Sequence, residues 1–218
     1  MSTATTTDSA DFYALEDLLD AGEQAYLHSG RDVMASEVEP TVNRHWQRGS
    51  FPFEIVPGQL GLAGLPYHGF GPGKSFLLDG MVTMELARTD PSIATFAAVH
   101  GGLAMGSIYL CGSEDQKQRY LPAMARYGKI GAFGPTEPDV GSGASRDLTT
   151  TARRDGDSWV LTGQKKWIGN ATFGGLTVIW AGMKSVGTPS GCQAAVTATE
   201  GRVWPQWFPG APPSNSTG

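Results

Sequence analysis

An α+β organisation, with a helical N-terminal half followed by a β-rich half, is predicted by two changes of texture along this 218-residue chain. Before about residue 130 the apolar residues recur at helical spacing. After Tyr127 the sequence turns to runs of Thr, Val and Trp punctuated by glycine and aspartate. A further change follows Ala181, where most residues are Gly, Ala, Pro, Ser or Thr and Glu200 is the one remaining acid. The expected division is a disordered leader over 1–10, a helical domain over 11–129, a β domain over 130–181 and an irregular tail over 182–218.

The helical half divides into several elements. Phe12, Leu15, Leu18, Leu19 and Tyr26 predict an amphipathic helix with Asp11, Glu16, Asp17 and Asp20 on its other side. Met34, Val38, Val42 and His45 predict a second, which Pro40 kinks or divides and Gly49 stops. The Gly- and Pro-rich stretch from Pro57 to Gly73 separates these from an apolar helix over Phe76 to Leu86. Ser113 and Gln116 have the spacing of a capping box, with Glu114 and Asp115 placed where the helix dipole favours acids, so another short helix begins there. In the β half, Thr149 to Arg153 and Trp159 to Thr162 flank Asp155-Gly156-Asp157 and read as a hairpin. Leu176 to Ala181 reads as a mostly buried strand.

Bulk properties narrow the partners. A net charge of −5 provides no basic face for nucleic acid or anionic lipid. Cys111 and Cys192 show neither a disulfide framework nor zinc spacing, which fits a reducing, cytoplasmic setting. The polar opening MSTATTTDSA lacks the basic start and apolar core of a secretory signal. Pro91 to Ser113 carries no Asp, Glu, Lys or Arg and is long enough to span a bilayer. His100, its glycines and its hydroxyl residues point instead to a helix buried inside a protein.

Two segments can carry chemistry. In FGPTEPDVGSG, Phe133 to Gly143, a predicted strand runs into a loop whose backbone N–H groups and Thr136 hydroxyl suit the acceptor atoms of a flavin ring. Gly141, Ser142 and Gly143 would let the main chain approach a diphosphate. Read by itself the segment is more readily a surface turn after a strand. In GQKKWIGN, Gly163 to Asn170, Trp167 reads as a strand residue that either stacks on an aromatic cofactor or sits in the β-domain core.

In this order, the two segments resemble the paired flavin signatures of the acyl-CoA dehydrogenase and oxidase family. Met84 to Asp90 (MELARTD) resembles the family's central helix, and Cys111 to Pro122 (CGSEDQKQRYLP) resembles the element that precedes its β domain. The wording LCGSE and WIGNATF is nearest the branch holding glutaryl-CoA dehydrogenases and short-chain acyl-CoA oxidases. The resemblance implies FAD as cofactor, with Phe133, Pro135, Thr136, Gly141, Ser142, Trp167, Ile168 and Gly169 lining it and Ser142 also near the substrate. It implies an acyl-CoA thioester as substrate, an electron-transfer flavoprotein or oxygen as acceptor, and homo-oligomeric full-length relatives.

Three departures qualify the resemblance. The family's Thr after Trp-Ile and Asp after Gly-Ser are here Gly169 and Gly143. At the positions of the Arg-Ser pair with which glutaryl-CoA enzymes meet the far carboxylate stand Ala94 and Thr95, which suit an apolar acyl chain. The family's β domain is expected to be an incomplete barrel here. Its C-terminal helical domain, which supplies the glutamate base, has no counterpart in these 218 residues, and the break after Ala181 suggests a shifted reading frame. Glu85 and Glu137 are the tempting substitutes for that base. The spacing of Glu85 to Arg88 points to a local ion pair, and Glu137 belongs to the loop's own structure.

Overall fold

The computed structural model describes residues 11–55, 61–140, 148–172 and 174–183, together with the backbone of 194–200. Regular structure starts later than the spacing of Phe12 to Tyr26 predicts. Ala14 adopts φ 52°, a single 3-10 turn covers Leu15–Leu18, and helix α1 spans Ala21–Val33. Asp20 sets that start, because its carboxylate accepts from the Glu23 N–H at 2.8 Å while Glu23 reaches back to the Asp20 N–H. Phe12 and Leu18 stay exposed in consequence, whereas Leu19 and Leu27 are buried.

A π turn at Met34–Val38 leads from α1 into α2 (Glu39–Arg48). Pro40 has no N–H, and its ring would crowd the carbonyl four residues earlier. The widened turn before it, closed by the Glu39 N–H on the Met34 carbonyl, lets the helix pass through instead of breaking. Gly49, at φ 59°, ends α2 as its position predicts. Helix α3 (Phe76–Thr89) starts where Ser75 Oγ accepts from the Leu78 N–H at 3.1 Å. Leu27, Met34 and Val38 pack with Leu78, Met81, Val82, Leu86 and Ile93 in a helical core.

Asp90 caps a helical run made of α4 (Pro91–Ala97), a π stretch (Ala98–Met105) and α5 (Gly106–Cys111). By length and composition Pro91–Cys111 could cross a membrane, with a mean hydropathy of 1.4; half of that window is buried in this fold. The Tyr67 hydroxyl donates to the Gly101 carbonyl at 2.9 Å inside the widened stretch. Helix α6 (Glu114–Met124) opens with the predicted capping box, Ser113 and Gln116 each satisfying the other's N–H.

Strands β1 (Gly131–Gly134), β2 (Thr151–Asp155), β3 (Ser158–Thr162), β4 (Leu176–Met183) and β5 (Ala194–Glu200) form one mixed sheet. β1 runs parallel to the first half of β4, and Thr151 and Ala152 of β2 run parallel to its end. β2 and β3 make the predicted hairpin, turning through Gly156 at φ 61°. β5 lies antiparallel along β4 inside the segment expected to be an irregular tail. Its alternation of Val196 and Ala198 with Thr197 and Thr199 is short and set in a Gly-, Ala- and Pro-rich stretch that hides it; the β-branched residues favour extended backbone, and β4 offers them an edge. A second core joins the two halves: Phe96, Met105, Ile108, Tyr120, Leu121 and Met124 from the helices surround Leu176 and Val178 of β4.

Candidate functional site

The site is built where β1 ends. Phe133 is half-buried and meets Trp180 of β4 edge-on, with ring centroids 5.9 Å apart. Pro135 and Thr136 follow, both half-buried, and then the chain turns inward at Glu137, which is 1% exposed. Glu137 Oε2 accepts from the N–H of Thr149 at 2.7 Å and from its hydroxyl, and Oε1 accepts from the Thr150 N–H at 2.8 Å and from Lys165 Nζ at 2.9 Å. Burial resists ionisation of this carboxyl. The donors at Thr149, Thr150 and Lys165 outweigh it and hold the group well below the usual glutamate range.

The second segment, 163–170, is strapped across the first. The Lys166 N–H donates to the Thr136 carbonyl at 3.0 Å, Lys166 Nζ to the Pro138 carbonyl at 2.7 Å, and Lys165 Nζ to the Pro135 carbonyl at 3.1 Å. Two stretches separated in sequence thus form one continuous surface. Trp167 stands on it in a way that its sequence context does not predict: it lies in a loop, not a strand, at φ 56°, and its side chain is 84% exposed rather than in the core. Lys166 Nζ lies 4.1 Å from its ring centroid. A bulky residue held in the left-handed region with its apolar face in water is a costly arrangement, of the kind found where a ligand binds.

Ile168 is half-buried and Gly169 exposed. A Cβ built on Gly169 would approach Val99 Cγ2 to 3.3 Å, so a larger residue there has to displace the helix side chain facing it. Asn170, at φ 65°, is buried and sends its amide to the Phe96 and Gly131 carbonyls. His100 is fully buried. Its Nδ1 accepts from the Gly131 N–H at 2.8 Å and its Nε2 pairs with the Met124 carbonyl at 3.0 Å, which requires the neutral ring protonated on Nε2. Burial pushes the imidazole down to about 4.

The structure therefore brings together Phe133, Pro135, Thr136, Trp167, Ile168 and Gly169. Gly141 and Ser142, with Gly143, lie outside the described residues. Lys165, Asn170 and His100 are not among the predicted site residues. Lys165 is one of two adjacent lysines of which only it turns inward, and His100 sits in an uncharged helix that reads as plain core; the Gly-Asn pair signals a turn, but not a buried amide. Glu85 is 3% exposed and held by Arg31 Nε at 2.9 Å and Arg88 Nε at 3.0 Å.

Family models place this architecture. The model described as acyl-CoA dehydrogenase, N-terminal domain, matches residues 20–128, and that of the middle domain matches 132–202. The chain belongs to the acyl-CoA dehydrogenase family. Family similarity thus extends past Ala181, the limit expected from the sequence, and takes in β5. Among relatives, the short-chain specific acyl-CoA dehydrogenase of Rattus norvegicus is 35% identical over 155 residues, covering 69% of this chain and 37% of that protein. A glutaryl-CoA dehydrogenase from Mycobacterium smegmatis, solved in complex with FADH2, superposes with a TM-score of 0.72 at 35% identity over 78% of this chain and 44% of its own. Butyryl-CoA dehydrogenase from Megasphaera elsdenii gives 0.69 at 28%, over 77% and 45%. The chain thus spans 37–45% of the length of these acyl-CoA dehydrogenase relatives.

Proposed function

We propose that the surface made by 133–137 and 163–169 binds FAD and that the chain supplies the cofactor-binding part of an enzyme for α,β-dehydrogenation of short acyl-CoA thioesters, without the base that completes the reaction. The carrying observation is the strap of Lys165 and Lys166 hydrogen bonds, which sets exposed Trp167 beside Thr136. These residues fit the cofactor: a flat aromatic ligand would cover the exposed Trp167 ring, and Thr136 supplies a hydroxyl at the loop beside it. Phe133, Pro135, Ile168 and Gly169 would complete the lining, and Gly141 and Ser142 would approach the diphosphate, with Ser142 also near the acyl-CoA. The cofactor would supply the hydride acceptor. This chain's residues orient it and exclude water, and an electron-transfer flavoprotein or oxygen would take the electrons onward.

An apolar acyl group is favoured over a dicarboxylate. Ala94 is buried in the helical core, and Thr95 commits its hydroxyl to the Pro91 carbonyl at 2.8 Å, so neither meets a distal carboxylate with charge. Proton abstraction alpha to the thioester needs a free carboxylate in reach, and the two glutamates considered for it are both engaged in ion pairs. The test is to purify the 218-residue chain, add FAD and measure absorbance in the flavin bands after desalting. Retained yellow colour is expected, and a colourless protein would sink the flavin reading. Incubation with butyryl-CoA and an artificial electron acceptor is expected to give no turnover; turnover would mean a base lies elsewhere in the chain. A second reading, weak flavin binding without catalysis, is favoured by Gly169, which offers the ring no hydroxyl.

A further inference from the structure

Strand β1 has two edges, and among the described residues only one of them faces another strand. On the β4 side, the Ile130 carbonyl accepts from the Leu176 N–H at 3.2 Å. On the other side, the N–H of Gly131 goes to His100 Nδ1 and its carbonyl to Asn170 Nδ2, so two side chains substitute for a missing strand. Both are tied back to the helices: His100 Nε2 to the Met124 carbonyl of α6, and the Asn170 amide to the Phe96 carbonyl of α4 at 3.2 Å. The approach is close enough to demand glycine. A Cβ on Gly131 would lie 2.6 Å from Ala104 Cβ and 2.6 Å from Met124 Cε. Asn170 also ends the strap that carries Trp167, and its own carbonyl accepts from the Gly174 N–H at 2.6 Å.

We infer that His100 and Asn170 are positioning residues, a neutral latch that fixes the Trp167–Gly169 turn and the start of β1 to the helical run Pro91–Cys111, so that the cofactor surface keeps its shape. Neither side chain belongs to the lining itself. Each acts through Gly131, and Asn170 acts through the turn it terminates. The link to cofactor affinity rests on the flavin reading above; the latch itself does not.

The test uses the full chain carrying Asn170→Gly, which keeps the positive φ of this position and deletes the amide, and separately His100→Gln, which retains one donor and one acceptor. Hydrogen exchange followed by mass spectrometry reports the amide of Lys166, which ties the strap to Thr136, those of Ala171 and Gly174, which are bonded within the turn, and that of Gly131. In Asn170→Gly these should exchange roughly tenfold or more faster, while peptides of α6 away from Met124 keep wild-type rates. His100→Gln should show a smaller rise, centred on Gly131. Flavin binding to Asn170→Gly should weaken by about the same factor at a matched melting temperature. Unchanged exchange over 163–174 would overturn the latch. So would a rise spread evenly over the whole chain, which marks a loss of global stability alone. If wild type binds no FAD, the flavin reading falls while the exchange measurement still decides the latch. Should Asn170→Gly fail to fold, His100→Gln decides: faster exchange centred on Gly131 supports the latch, and wild-type exchange there overturns it.

Discussion

The strap from 163 to 170 is fastened at its two ends by opposite kinds of chemistry. Lys165 at one end enters a buried ion pair with Glu137, backed by Thr149 and Thr150; at the other, Asn170 and His100 make only neutral hydrogen bonds to backbone. A buried charge pair costs desolvation whichever way it is assembled, and it is held only while both partners are present. A neutral bridge costs less and fails more gently. The charged end therefore fixes the loop firmly at Thr136, and the neutral end ties the same strap to the helices behind β1.

Breaking the charged end should have the largest effect. Lys165→Met leaves Glu137 ionised and buried without its cation, and the stability from urea unfolding should fall by about 3–5 kcal/mol. A loss below about 1 kcal/mol would mean that water reaches Glu137 freely. At the neutral end, Gly131→Ala sets a methyl against Ala104, whose helix-borne Cβ cannot swing away; about 1–3 kcal/mol should be lost, measured in the same unfolding experiment.

Acid separates the two fastenings. His100 has a folded pKa near 4 against an ordinary 6.5, so its contribution is complete above about pH 6.5 and drains away as the pH falls towards 4. Glu137 is depressed from 4.5, so its contribution is complete above that value and is lost only as the pH drops further. Between pH 6.5 and 4.5 the wild type should therefore lose stability faster than His100→Gln, by up to about 1.4 kcal/mol per pH unit. Parallel pH profiles of the two proteins would contradict the burial of His100. The smallest effect belongs to Lys166→Ala, which removes an exposed cation–π contact and one carbonyl bond. Its cost should stay at about 1 kcal/mol, with Trp167 fluorescence shifting more than the melting temperature does.

The helical half is legible in the sequence because helices announce themselves locally. The Ser113–Gln116 box, Gly49 as a stop and Pro40 as an irregularity all act within a turn or two of themselves. Apolar spacing places the first helix too early because it carries no information about Asp20, which fixes the start by hydrogen bonding. In the β half the hairpin is readable from its turn residues and β4 from its apolar run, whereas β5 depends on an edge made by distant residues. The lining of the candidate site is legible as a pattern of residue types. Its fastenings are not, since Lys165 and Lys166 look alike in sequence and only the path of the backbone distinguishes them. Trp167 shows the same gap: an aromatic in a strand-like context sits instead at positive φ in water.

The two edges of β1 also differ in when the ribosome makes them available. Everything the helix-side edge needs except Asn170 has already emerged by Gly131: His100 lies upstream, and so do Ala104 and Met124, which press on the same glycine. The strand that completes the other edge arrives only with Leu176, after the β2–β3 hairpin has been made. A nascent chain can thus dock β1 on its helices while the sheet is still unmade, leaving its open edge to wait for β4. Non-local pairings of that kind are slow to form and prone to capture by other chains in the interval. His100 would then anchor one strand of an unfinished sheet to the helices during synthesis, until its partner is translated.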